Sequence, residues 1–132
     1  MNLVDTSGWI EYFFDEPNAG HFANVIEDTE NLIISVINQY EVFKKVLLVA
    51  DEEKALRAIA QMKQGHVIQL TEEIALLAAK LSIKHRLPMA DSMIYATGQS
   101  MEAMVWTQDA DFKILPQVEY IMKSEQSNPA EL

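Results

Sequence analysis

The stretch Asn2-Leu3-Val4-Asp5-Thr6-Ser7 decides how the rest of the chain is read. Two aliphatic residues run into a carboxylate, and two small hydroxyl residues and Gly8 follow. A short apolar run bounded by polar and turn-forming residues is the pattern of a buried strand. Asp5 then stands where the strand stops and the chain turns into a helix. The order recurs near the other end, where Met104-Val105-Trp106 runs through Thr107 and Gln108 to Asp109. Ligands of open α/β sheets bind beyond the carboxyl ends of the strands. Parallel strands ending at Asp5 and Asp109 would therefore aim both acids at one crevice.

Working outward, Trp9 to Phe14 predicts an aromatic first helix that Asp15, Glu16 and Pro17 stop. A second helix runs from Asn18 or Gly20 to about Asp28, with Phe22, Val25 and Ile26 inward. Leu32-Ile33-Ile34 reads as a second strand, and Ser35 as the N-cap of a third helix from Val36 to about Ala50. Its apolar stripe is expected to be Tyr40, Phe43, Leu47 and Ala50. Asp51 caps a fourth helix that carries Leu56, Ile59 and Met62, and Gly65 ends it. Val67-Ile68 is a third strand. Thr71 caps a fifth helix rich in Ala and Leu (Ile74, Leu77, Ala78, Leu81), and Pro88 opens a sixth through Met93, Ile94 and Ala96. A last strand falls near Tyr120-Ile121. Strands alternating with helical segments argue for βαβ units and a parallel sheet.

The 132 residues suit one domain with a real core. No composition shift divides residues 1–123, and 124–132 reads as a flexible, polar tail. Hydrophobic residues at 49% and charged residues at 23% are those of a soluble globular chain. No apolar run approaches a membrane span, and no secretory leader is recognisable at the N-terminus. The absence of cysteine excludes disulfides and thiolate chemistry and suits the cytoplasm. A net charge of −10 is the opposite of a basic nucleic-acid footprint. An acidic surface suits divalent cations, a basic partner or plain solubility, and net charge alone does not choose among them.

Among 20 acids, position has to select. Asp5 can cap the first helix. Glu41, inside the third helix, can pair with Lys45 one turn on, for about 0.3–0.5 kcal/mol. Asp91 sits in the first turn of the sixth helix, where the dipole favours an acid. Asp109 and Asp111 flank Ala110 in a polar turn. Each has a plain structural role when taken singly. Together, three fall at strand ends or helix starts that an α/β crevice gathers. Clustered carboxylates repel and raise one another's pKa unless a cation sits among them. An all-oxygen set suits Mg²⁺ or Mn²⁺.

In order and spacing these residues resemble the acidic quartet and Thr-x-Asp turn of PIN-domain ribonucleases, above all the VapC-like toxins of type II toxin–antitoxin pairs. The matching pieces are Val4-Asp5-Thr6-Ser7, Tyr40-Glu41-Val42, Ala90-Asp91-Ser92-Met93-Ile94, and Thr107-Gln108-Asp109 with Asp111-Phe112. The resemblance spans roughly Asn2 to Tyr120. It implies a three-layer α/β fold, with a central, mostly parallel sheet of four to five strands flanked by about six helices. It also implies an endoribonuclease in which Asp5, Glu41, Asp91 and Asp109 hold Mg²⁺ or Mn²⁺. Asp111 would be auxiliary, and Thr6, Ser7 and Thr107 would orient carboxylates or the scissile phosphate. Lys44, Lys45, Lys80, Lys84, Arg86 and Lys113 are candidates for contact with the RNA backbone. A homodimer and a cognate antitoxin, which covers the site and places an arginine among the carboxylates, are the implied partners.

Other chemistries lack parts. An aspartyl-nucleophile phosphatase wants a second acid two residues after the first, where this chain has Ser7. A phospho-acceptor domain wants a lysine after a late strand, and none occurs before Lys113. His21, His66 and His85 lack zinc-ligand spacing, and no phosphate-cradling glycine loop is present. A PIN-like binding module without nuclease activity is the remaining alternative, and it would be expected to show an eroded quartet.

Overall fold

The computed structural model describes residues 1–124. It has five strands and six helices, the helices falling in pairs between successive strands from β1 to β4. The strands are β1 (Asn2–Val4), β2 (Leu32–Ser35), β3 (His66–Ile68), β4 (Met104–Thr107) and β5 (Val118–Tyr120). The helices are α1 (Thr6–Phe13), α2 (Ala19–Ile26), α3 (Val36–Val49), α4 (Glu52–Met62), α5 (Glu72–His85) and α6 (Met89–Ser100). Short 3-10 turns at Thr29–Asn31 and Ala110–Phe112 complete the order. All strand pairs are parallel, in the order β3-β2-β1-β4-β5. The expected parallel α/β sheet is therefore five strands wide. The expected flexible tail lies outside the described residues, Ser124 apart.

Strand alternation sorts the core into two layers. Val4, Leu32 and Ile34 point at Trp9, Phe22, Val42, Val46 and Met62 of α1–α4. Leu3, Ile33 and Val105 point the other way, at Ile74, Ala78, Leu81, Ile94 and Ala96 of α5 and α6. From β1 to β3 the chain steps outward and lays α1–α4 on one face. It then returns past β1 to β4, which puts α5 and α6 on the other face, as crossovers of one hand require. The strand order thus reverses between β1 and β4. Asn2, Leu3 and Val4 lie opposite Met104, Val105 and Trp106 there, so Asp5 and the turn after Thr107 emerge side by side.

The capping expectations hold. The Ser35 hydroxyl accepts from the Ile37 N–H, and the Asn38 side-chain oxygen accepts from the Ser35 N–H. Asp51 accepts from Lys54 N and Thr71 from Ile74 N. One inward face is corrected. α3 buries Asn38, Val42 and Val46, while Tyr40, Leu47 and Ala50 are exposed and Phe43 is half-buried. α4 buries Ala55, Ala58 and Met62 and exposes Leu56. α3 and α4 pack on each other, and Val42, Val46, Ala55, Ala58 and Met62 share one core.

Candidate functional site

Asp5 is almost wholly buried at the end of β1. Its Oδ1 accepts from the Ser7 hydroxyl at 2.7 Å and from the Gly8 N–H at 3.2 Å. Its Oδ2 accepts from the Thr107 hydroxyl at 2.9 Å. Asp5 is thus the N-cap of α1 and also a brace across to β4. The Thr107 oxygen in turn accepts from the Asp109 N–H at 2.9 Å. Asp109 caps the following 3-10 turn, accepting from the Asp111 N–H at 2.9 Å. Helix α6 brings Asp91 to the same place from the other face of the sheet. One carboxylate oxygen from each of Asp91, Asp109 and Asp111 lies within 4.8 Å of the others.

Glu41 joins from α3. The Thr6 hydroxyl donates to its Oε1 at 2.5 Å and accepts from Asn38 Nδ2 at 3.2 Å. The structure thus gives Glu41 a partner at the mouth of the crevice in Thr6. Burial pushes the Asp91 carboxyl up to about 7, and the charges of Asp109, Glu41, Asp5 and Asp111 add to it. Burial likewise raises Asp5 to about 6, against the hydrogen bonds from Ser7, Thr107 and Gly8, with Asp109 adding to the rise. The other four acids singled out in the sequence therefore all act on Asp91, a half-buried position. Asp111, exposed at the rim, brings a carboxylate oxygen to the same group as Asp91 and Asp109.

Two supporting residues escaped the sequence reading. Asn38 is fully buried and anchors Thr6, and its only sequence signal is its place three residues after the Ser35 cap. Gln108, between Thr107 and Asp109, donates its backbone N–H to the Ser7 hydroxyl at 3.3 Å. Three acidic side chains offering oxygens at this separation are a donor set for a hard divalent cation that keeps some of its waters. The residues present fit such an ion.

The family profile described as PIN domain matches residues 3–117. The chain belongs to the PIN domain family. Solved structures agree with it in fold. A toxin–antitoxin complex from Klebsiella pneumoniae is 23% identical, with TM-score 0.77 over 96% of this chain and 100% of that one. VapC20 of Mycobacterium tuberculosis, described as a toxin cleaving the sarcin–ricin loop, is 15% identical, with TM-score 0.74 over 88% and 95%. The DNA-bound VapBC of Salmonella typhimurium is 18% identical, with TM-score 0.69 over 94% and 100%. At these identities the likeness is one of fold. No curated protein matches the chain by sequence. In this PIN domain the acids occupy the switch point of the sheet, where open α/β folds place their ligands. Among the described residues no helix is long and apolar enough to cross a membrane.

Proposed function

We propose that this PIN domain is a divalent-metal-dependent endoribonuclease and the toxin of a toxin–antitoxin pair. The observation that carries the reading is the convergence of Asp91, Asp109 and Asp111 within 4.8 Å beside the buried Asp5. Asp91, Asp109, Asp5 and Glu41 hold Mg²⁺ or Mn²⁺, with Asp111 beside them. Bound there, the ion supplies Lewis acidity, lowering the pKa of an attacking water and neutralising charge on the phosphodiester. The chain's own part is placement. Thr107 locks Asp5 against Asp109, Ser7 donates its hydroxyl to Asp5, and Thr6 holds Glu41 at the edge.

Partners follow from the same reading. The acidic balance of −10 favours a basic antitoxin segment over the crevice, and similarity to toxin–antitoxin complexes supports such a partner. A homodimer acting on RNA in the cytoplasm completes the proposal.

The test is cleavage of total cellular RNA by purified protein with Mg²⁺ or Mn²⁺, against EDTA and against Asp91→Asn. Discrete metal-dependent fragments, reduced at least ~100-fold in the variant, are expected by analogy with the loss of key metal-site groups. Equal cleavage by both proteins would remove Asp91 from the site.

A further inference from the structure

Glu11 is a carboxylate buried to 2% exposure, yet it lies outside the acidic crevice. Such a group is costly to bury unless its oxygens are matched by donors. Here both are matched. Oε2 accepts from the Asn18 backbone N–H at 2.8 Å, and Oε1 accepts from Gln108 Nε2 at 2.8 Å. Gln108 Oε1 then accepts from Asn18 Nδ2 at 3.0 Å, which closes a three-membered ring. Asn18 Nδ2 also donates to the Met122 carbonyl at 3.2 Å. An ionised carboxylate only accepts, so it dictates which way each amide faces. Gln108 must present its nitrogen to Glu11 and its oxygen to Asn18.

Ser7 and Glu11 are four residues apart on α1 and so share one face. From that face Ser7 accepts the Gln108 backbone N–H, and Glu11 accepts its side-chain amide. Gln108 is gripped at both ends by a helix whose own N-cap is Asp5. The residue before Gln108 is bound to Asp5, and the residue after it belongs to the carboxylate trio.

We propose that Glu11, through Gln108 and Asn18, is a positioning residue for the nuclease site, holding the Thr107–Asp111 turn so that Asp109 and Asp111 meet Asp91. This rests on the metal-site reading given above. Glu11 touches neither substrate nor metal, and its effect is confined to the pose of the turn.

Because the ring is defined by donor and acceptor matching, exchanging its carboxylate and its amide should preserve it. Gln108→Glu alone sets two carboxylates face to face. Adding Glu11→Gln restores every pairing at the wild-type net charge. Position 11 then keeps an oxygen for the Asn18 N–H and turns its amide nitrogen toward position 108. The carboxylate at position 108 accepts from that nitrogen and from Asn18 Nδ2. The experiment measures Mn²⁺ affinity by calorimetry and amide hydrogen exchange of residues 107–112 in wild type, Gln108→Glu and the double variant. Gln108→Glu is expected to weaken Mn²⁺ binding ~10–100-fold, the range for residues that orient ligands, and to speed exchange in the turn. The double variant is expected to return both to near wild type. A single variant that binds Mn²⁺ like wild type, or a double no better than the single, overturns the proposal. If wild type binds no Mn²⁺, the metal reading fails. Exchange then decides the positioning role alone: it survives if protection is lost and regained, and falls if protection is unchanged.

Discussion

Asp91 is the residue on which the other four acids act, and its behaviour with pH follows from that. Asp5 and Asp91 have folded-state pKa values of about 6 and about 7, both above the ordinary 3.8. The folded protein therefore holds more protons than the unfolded chain between these limits. The stability these two groups contribute is complete below about pH 4 and is lost as pH rises through 6 to 7. A cation needs the deprotonated carboxylates, so its affinity changes in the opposite sense. Melting curves in EDTA and in Mn²⁺ should diverge between about pH 5 and pH 8, with Mn²⁺ giving its largest gain at the alkaline end. In Asp91→Asn the divergence should shrink, because the most strongly raised carboxyl is gone. A gap independent of pH would mean that these acids do not release protons to the ion.

At the scale of elements, the approach of α1 to the sheet decides whether Asp5 and Ser7 reach the crevice. Gly8 permits it: a Cβ there would stand 2.5 Å from Val4 Cγ1 and 2.8 Å from the Phe22 ring. Gly8→Ala should cost about 1–3 kcal/mol in chemical denaturation, as overpacking does. Wild-type stability would show that α1 can move away from β1 freely. Most elements were legible in the sequence because strand, cap and turn signals agreed locally, as at Ser35, Asp51 and Thr71. The inward face of α3 was not, because it is set by packing against α4 in a shared core, which no single-helix pattern records. Asp5, Asp91 and Asp109 stand out in the sequence as acids at strand ends and helix starts, whereas Glu41, inside α3, is singled out only by the family resemblance. Asn38, Glu11 and Gln108 were not legible, since each takes its role from a partner on another element, such as Thr6, 32 residues from Asn38.

For the whole molecule, charge works against compactness. A balance of −10 repels itself, and salt screens repulsion between exposed charges over about 10 Å at 0.1 M. Raising NaCl from ~10 mM to about that concentration should therefore raise the Tm of the metal-free protein. A fall would mean that attractive surface pairs outweigh the repulsion.

The order of the strands has a bearing on synthesis. β1 emerges first and β4 late, yet they lie side by side, and Asp5 and Asp109 are braced by the same threonine. A growing polypeptide that stops short of Asp111 lacks one member of the carboxylate trio. The carboxylate cluster therefore cannot form on a ribosome until the segment carrying Asp111 has been added and β4 has docked beside β1.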